Sequence, residues 1–175
     1  MPLSRVTIMR MVCVLVTMLM LQLMEHAAPS QVAVFDFELV DTSLQGEVDG
    51  PRSDEQGRLV RAGDQVRKAL AESGRFTVLD IAPVNAAAHG SNLQACGGCE
   101  VALARQLGAD LVITGTVQKV SNLILNINFY LRDVHTGQLV AAMSADMRGN
   151  TDESWSRTMA WLVRNRMLAP NYGAR

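Results

Sequence analysis

Hydrophobic and polar positions along the chain change period several times, and each change marks an element. Residues 31–40 alternate in part, through Val32, Val34, Phe37 and Leu39, and their β-branched and aromatic content predicts a strand. Residues 41–54 carry Gly46, Gly50 and Pro51 and read as a loop. Leu59, Ala62, Val66, Ala69 and Leu70 then recur at helical spacing, with Gly74 as the stop. Residues 75–80 form a short second strand, and 83–91 a loop with a brief helical turn at 86–88. Residues 99–107 repeat Val101, Leu103, Ala104 and Leu107 with helical period, ended by Gly108.

Residues 110–120, 123–131 and 138–147 read as consecutive strands joined by the short turns 121–122 and 135–137. In the middle one, Leu123, Leu125, Ile127 and Phe129 alternate with Asn126, Asn128 and Tyr130, predicting one buried face. Residues 151–168 form a final helix, with Asn150 and Glu153 spaced as a capping box and Arg164 and Arg166 near its carboxyl end. The order β-α-β-α-β-β-β-α predicts an α/β (α+β) fold: a mixed five-stranded sheet with helices packed on it, in one domain over residues 31–175.

Ahead of that domain, Arg5 and Arg10 precede an apolar run at 11–24, and small residues follow at Ala27, Ala28 and Ser30. This is the order of a secretory signal peptide, residues 1–30, with cleavage near Ala28–Ser30. The run is short for a permanent span, which needs about 20 apolar residues. Cys13 has no small residue just before it, so lipidation there is not expected. The expected location is the periplasm or the exterior, with no membrane span after cleavage.

Composition narrows the function. Hydrophobic residues make up 49% of the 175, against 19% charged, which is the opposite of a disordered chain. With 16 Lys+Arg and 17 Asp+Glu there is no cationic excess for phosphate contacts, and 5% aromatics supply no stacking platform for bases, so no nucleic-acid partner is expected.

The phrases VAVFDF, GRFTVLD, ALARQLGADLVITGTV and LRDVHTGQLV resemble the layout of the amino-terminal domain of TolB and of CsgG-type and LpoB-type envelope proteins. More specifically, FDFELVDTS, CGGCE, KVSNLILNINFYLRDV and RGNTDESW resemble a bacterial family of exported proteins of unknown function. The resemblance implies a fold that works through protein–protein contact or assembly in the envelope, and it implies no catalytic residues.

Several residues are candidates for chemistry. Cys96 and Cys99 are the two cysteines outside the leader, and in an oxidising setting they read as a structural disulfide. Cys99 at a helix start also suits thiol–disulfide exchange, and His89 would add a third ligand for a metal, short of the usual four. Asp36, Glu38 and Asp41 cluster at the first strand's end, with Asp36 and Glu38 expected on one face. Paired carboxylates can do acid–base chemistry, but such clusters more often brace a loop or face solvent. Arg148, Asn150, Asp152 and Trp155 form a polar turn with an anchor-sized aromatic, suited to partner binding together with Asp41. The plainer reading packs Trp155 and Trp161 inward on the sheet. Ser43, Ser121 and Ser154 lack a nucleophile elbow, and Gly97-Gly98 lacks a nucleotide fingerprint.

The functional expectation is therefore an exported, non-enzymatic envelope protein acting as a protein-binding or assembly accessory, without cofactor and with homo-oligomers allowed. The alternatives are a thiol or metal-handling accessory using Cys96 and Cys99, and an unrecognised hydrolase.

Overall fold

The structure, a computed structural model, describes residues 28–170 and 172. Arg5, Arg10, the apolar run at 11–24 and Cys13, on which the expected signal peptide rests, lie outside the described residues. Strands β1 (Ser30–Val34), β2 (Glu38–Asp41), β3 (Phe76–Val78), β4 (Leu111–Lys119), β5 (Ile124–Asp133) and β6 (Leu139–Arg148) form one mixed sheet. Its order is β3-β1-β4-β5-β6, with β2 pairing β4 beyond the end of β1. β1 runs parallel to β3 and β4, and β2 parallel to β4, while β4, β5 and β6 form an antiparallel meander. The architecture is the predicted one, with six strands instead of five.

The extra strand comes from a break in the first. Val34 pairs Ile113 and Glu38 pairs Thr116, so the first segment spends one more residue than β4 between the two pairings. An inserted residue behaves as a bulge and reverses which face the following side chains take. Ala33 and Phe35 pack in the core on one face of the sheet, Val32, Val34 and Phe37 in the core on the other. Strict alternation would have put Phe37 with Phe35. Gly115 makes room for the crossing: a Cβ there would lie 2.1 Å from a Phe37 ring carbon.

Helix α1 (Leu44–Asp49) occupies the predicted loop 41–54, started by Ser43, whose hydroxyl accepts the Gly46 amide at 3.1 Å. Helix α2 (Ser53–Glu72) buries Leu59, Ala62, Val66 and Leu70 against the larger core. Helices α3 (Asn85–His89) and α4 (Cys99–Gln106) supply the smaller core, through Ala88, Val101, Leu103 and Ala104. Helix α5 (Asp152–Leu162) buries Trp155, Met159 and Leu162 and continues as a π-helical stretch over Val163–Leu168. Its cap is Thr151, which accepts the Ser154 amide at 3.2 Å, in place of the predicted Asn150, whose side chain is taken up by tertiary contacts. Leu125, Ile127, Phe129 and Leu131 form the buried face of β5, whereas Leu123 and Trp161 are exposed, against expectation.

Candidate functional site

Three connections meet at one end of the sheet: the segment from Asp41 into α1, the β4–β5 hairpin, and the turn from β6 into α5. The hairpin joins the last two, because the Gly149 amide donates to Leu123 O at 3.3 Å and the Asn150 amide to Asn122 O at 2.8 Å. On its other side, the Thr42 amide donates to Lys119 O at 2.9 Å.

Side chains fasten the same three segments from within. Lys119 is 0% exposed, and its ammonium donates to Glu55 Oε1 at 2.6 Å and to Asp41 Oδ2 at 3.0 Å. Glu55, 1% exposed in the first turn of α2, also accepts the Asn150 amide group at 2.6 Å. Asn150 Oδ1 in turn accepts Trp155 Nε1 at 2.9 Å. Asp41 further accepts the Ser43 amide and hydroxyl at 2.9 and 2.6 Å. Buried charges persist only when paired and hydrogen-bonded, and here the pairing joins the ends of β2 and β4, the first turn of α2 and the turn before α5.

The electrostatics follow from this packing. Burial works to raise the Asp41 carboxyl, but the Ser43 donors and Lys119 outweigh it and hold it below the ordinary aspartate value. For Lys119, burial opposes the charge, and Glu55 and Asp41 more than offset it, leaving its pKa above the ordinary lysine value. At the rim, Asp152 is held low, first by its bond from Arg58 at 2.7 Å and then by Arg61 at 3.0 Å. Asp54 is pushed down to about 2, chiefly by the Arg52 hydrogen bond.

Outside this network the end exposes several large apolar side chains. Leu44 and Val48, one turn apart on α1, are each 74% exposed, and Leu123 at the hairpin tip is 72% exposed. Val40, Val120 and Ile124 at the neighbouring strand ends are exposed as well.

The residues predicted to bind a partner thus divide by role. Asp41, Asn150 and Trp155 are internal supports, whereas Arg148 and Asp152 lie at the surface. Sequence reasoning passed over Lys119 and Glu55, whose only signal was a lone lysine in an apolar strand. The exposure of Leu44, Val48 and Leu123 is not legible in the sequence either, because the Gly- and Pro-bearing segment 41–54 predicts a loop instead of α1 and the alternation through Leu123 predicts a buried position.

The other candidates lie elsewhere. Cys96 and Cys99 form a disulfide with the Cα atoms 5.6 Å apart. His89 does not join them: its Nε2 faces Asp36 Oδ2 at 3.1 Å. Among the described residues, the donors that converge on the two sulfurs include Glu100, not His89. Asp36 also accepts from Arg67 of α2, and Glu38 Oε1 accepts the Leu93 amide at 2.9 Å. Both carboxylates line a cavity of about 200 Å³ with His89.

Solved structures share the fold. Escherichia coli LpoB, determined by NMR, is similar at a TM-score of 0.52 and 19% identity over 70% of this chain and 58% of that one. Lipoprotein GNA1162 from Neisseria meningitidis is similar at 0.51 and 17% over 82% of this chain and 99% of its own. The LpoB C-terminal domain from Salmonella enterica scores 0.48 at 22% identity, over 74% and 90%. No curated protein matches the sequence. A family does: residues 30–167 match DUF3280, described as a protein of unknown function (DUF2380), and the chain belongs to that family.

Proposed function

We propose that this chain is an exported accessory domain of the bacterial envelope that binds another envelope protein through the end of the sheet carrying Leu44, Val48 and Leu123. The observation that carries the reading is the exposure of these three side chains on segments tied together by the Lys119–Glu55–Asn150 network. Large apolar side chains left exposed on neighbouring connections offer contact points to a partner, and loops fixed beforehand lose less entropy on binding than mobile ones. The Cys96–Cys99 disulfide favours an oxidising compartment, and the fold is one that a lipoprotein carries. Among the described residues no helix is long and apolar enough to cross a membrane. Leader cleavage after Ala28 leaves β1 whole, whereas cleavage after Ser30 removes the residue paired with Phe76.

The test is cross-linking of the tagged full-length chain in its own cells, followed by fractionation. The tagged chain is expected in the envelope fraction, without its leader, in one discrete cross-linked species. V48D/L123D is expected to lose that species while keeping the wild-type circular dichroism. Retention of the species by the folded variant, or recovery of the chain in the cytosol, contradicts the reading.

A further inference from the structure

A second surface carries chemistry of its own, independent of the apolar end. The Cys96–Cys99 bridge spans a sequence separation of three, with Cys99 the first residue of α4. Stabilisation by a disulfide grows with the loop it closes, so this one constrains the unfolded chain little. The segment is also held without it. The Leu93 amide donates to Glu38, and the Ala95 amide to both Asn92 O and Asn92 Oδ1, at 3.0 and 3.1 Å. A staple is not what this loop lacks.

Its surroundings are those of a reactive pair. The Cys99 amide points at Cys96 Sγ from 3.2 Å, placed to stabilise a thiolate there. Cys99 packs against the smaller core. Glu100, only 5% exposed, lies with Oε2 3.6 Å from Cys96 Sγ, while its Oε1 pairs with Arg132 at 3.2 Å. A carboxylate this buried is costly unless matched, and the arginine matches it through the oxygen that does not face the sulfur. Gly97 and Gly98 hold φ of 71° and 106°, and a Cβ on either would meet open space. No side chain therefore covers the bridge from these two positions, which line an open cleft of about 400 Å³ together with Glu100 and Arg132.

We propose that Cys96–Cys99 is a redox-active disulfide exchanging two electrons with a dithiol protein, with Cys96 as the exchanging sulfur and Glu100 as its proton acceptor. In reduction, a partner thiolate attacks Cys96 Sγ and the Cys96–Cys99 bond breaks, releasing the Cys99 thiolate, which takes a proton from water. The partner's second thiolate then attacks its own sulfur in the mixed disulfide, and Cys96 leaves as a thiolate held by the Cys99 amide and then takes a second proton from water. The partner ends as a disulfide, and the cysteine pair gains two electrons and two protons. In the reverse direction Glu100 accepts the Cys96 thiol proton, freeing the thiolate to attack a partner disulfide.

The test equilibrates the folded wild-type protein with reduced and oxidised glutathione, then quenches, alkylates and weighs it. Structural disulfides resist the glutathione pool. This one is expected to open while the fold persists, with Cys96 alkylating about tenfold faster than Cys99 at neutral pH. C99S is expected to trap glutathione on Cys96, and E100Q to displace the pH midpoint of Cys96 alkylation. A bridge that stays closed in excess reduced glutathione overturns the proposal whatever the variants do, and an unchanged pH profile in folded E100Q removes Glu100 from it.

Discussion

The Lys119 ammonium, wholly buried on the central strand β4, donates to Glu55 Oε1 at 2.6 Å, and Glu55 is as buried as the lysine it meets. Neither charge could stay there alone. Their meeting ties the amino-terminal turn of α2 to the sheet, and Asp41 and Asn150 extend the tie to the end of β2 and to the turn before α5.

Removing one partner should therefore cost more than removing both. K119M leaves Glu55 buried without its cation, and the expected loss is about 3–5 kcal/mol. K119M/E55Q keeps an acceptor for Asn150 and strands no charge on α2, so it should lose less than K119M alone. Urea unfolding midpoints check the order. A K119M variant within about 1 kcal/mol of wild type contradicts it.

The pH dependence has a sign on each flank. Asp41 has a folded pKa below its unfolded value of about 3.9, so its contribution is complete above that value and lost as pH falls through the folded one. Asp152, also held low, adds to the same acid flank. Lys119 has a folded pKa above its unfolded value of about 10.4, so its contribution is complete below that and lost as pH rises through the folded one. Melting temperature should fall at both extremes, and D41N should flatten part of the acid flank. A D41N profile parallel to wild type below pH 4 would contradict this.

Gly115 and Phe37 make a steric prediction. A Cβ at Gly115 meets three Phe37 ring carbons at 2.1, 2.5 and 2.6 Å, so G115A should cost at least about 1–3 kcal/mol by overpacking. F37L/G115A, which shrinks the ring, should recover part of that loss in thermal melts. Equal melting temperatures for G115A and wild type would show that the ring has another place to go.

Much of the fold was legible because its signals are local. The alternation through Leu125, Ile127 and Phe129 and the helical stripe from Leu59 to Leu70 each follow from one element burying one face. What escaped depends on partners distant in sequence. The Phe37 reversal requires knowing how many β4 residues separate two pairings. Asn150 looked like a helix cap because nothing local shows that Glu55 and Trp155 claim its amide. Lys119 read as a strand residue of no special role because its two carboxylates come from 64 and 78 positions away. The apolar end was hidden by misreading α1 as loop, which left Leu44 and Val48 without a common face.

The central claim is that this end of the sheet meets a partner, and site-specific photo-crosslinking in the native cells tests it most directly. A photoreactive residue at Leu44, Val48 or Leu123 should give one shared adduct with an envelope protein, and the same probe at Lys68 on α2 should give none. Adducts at Lys68 with none at the three apolar positions would place the contact elsewhere and contradict the account.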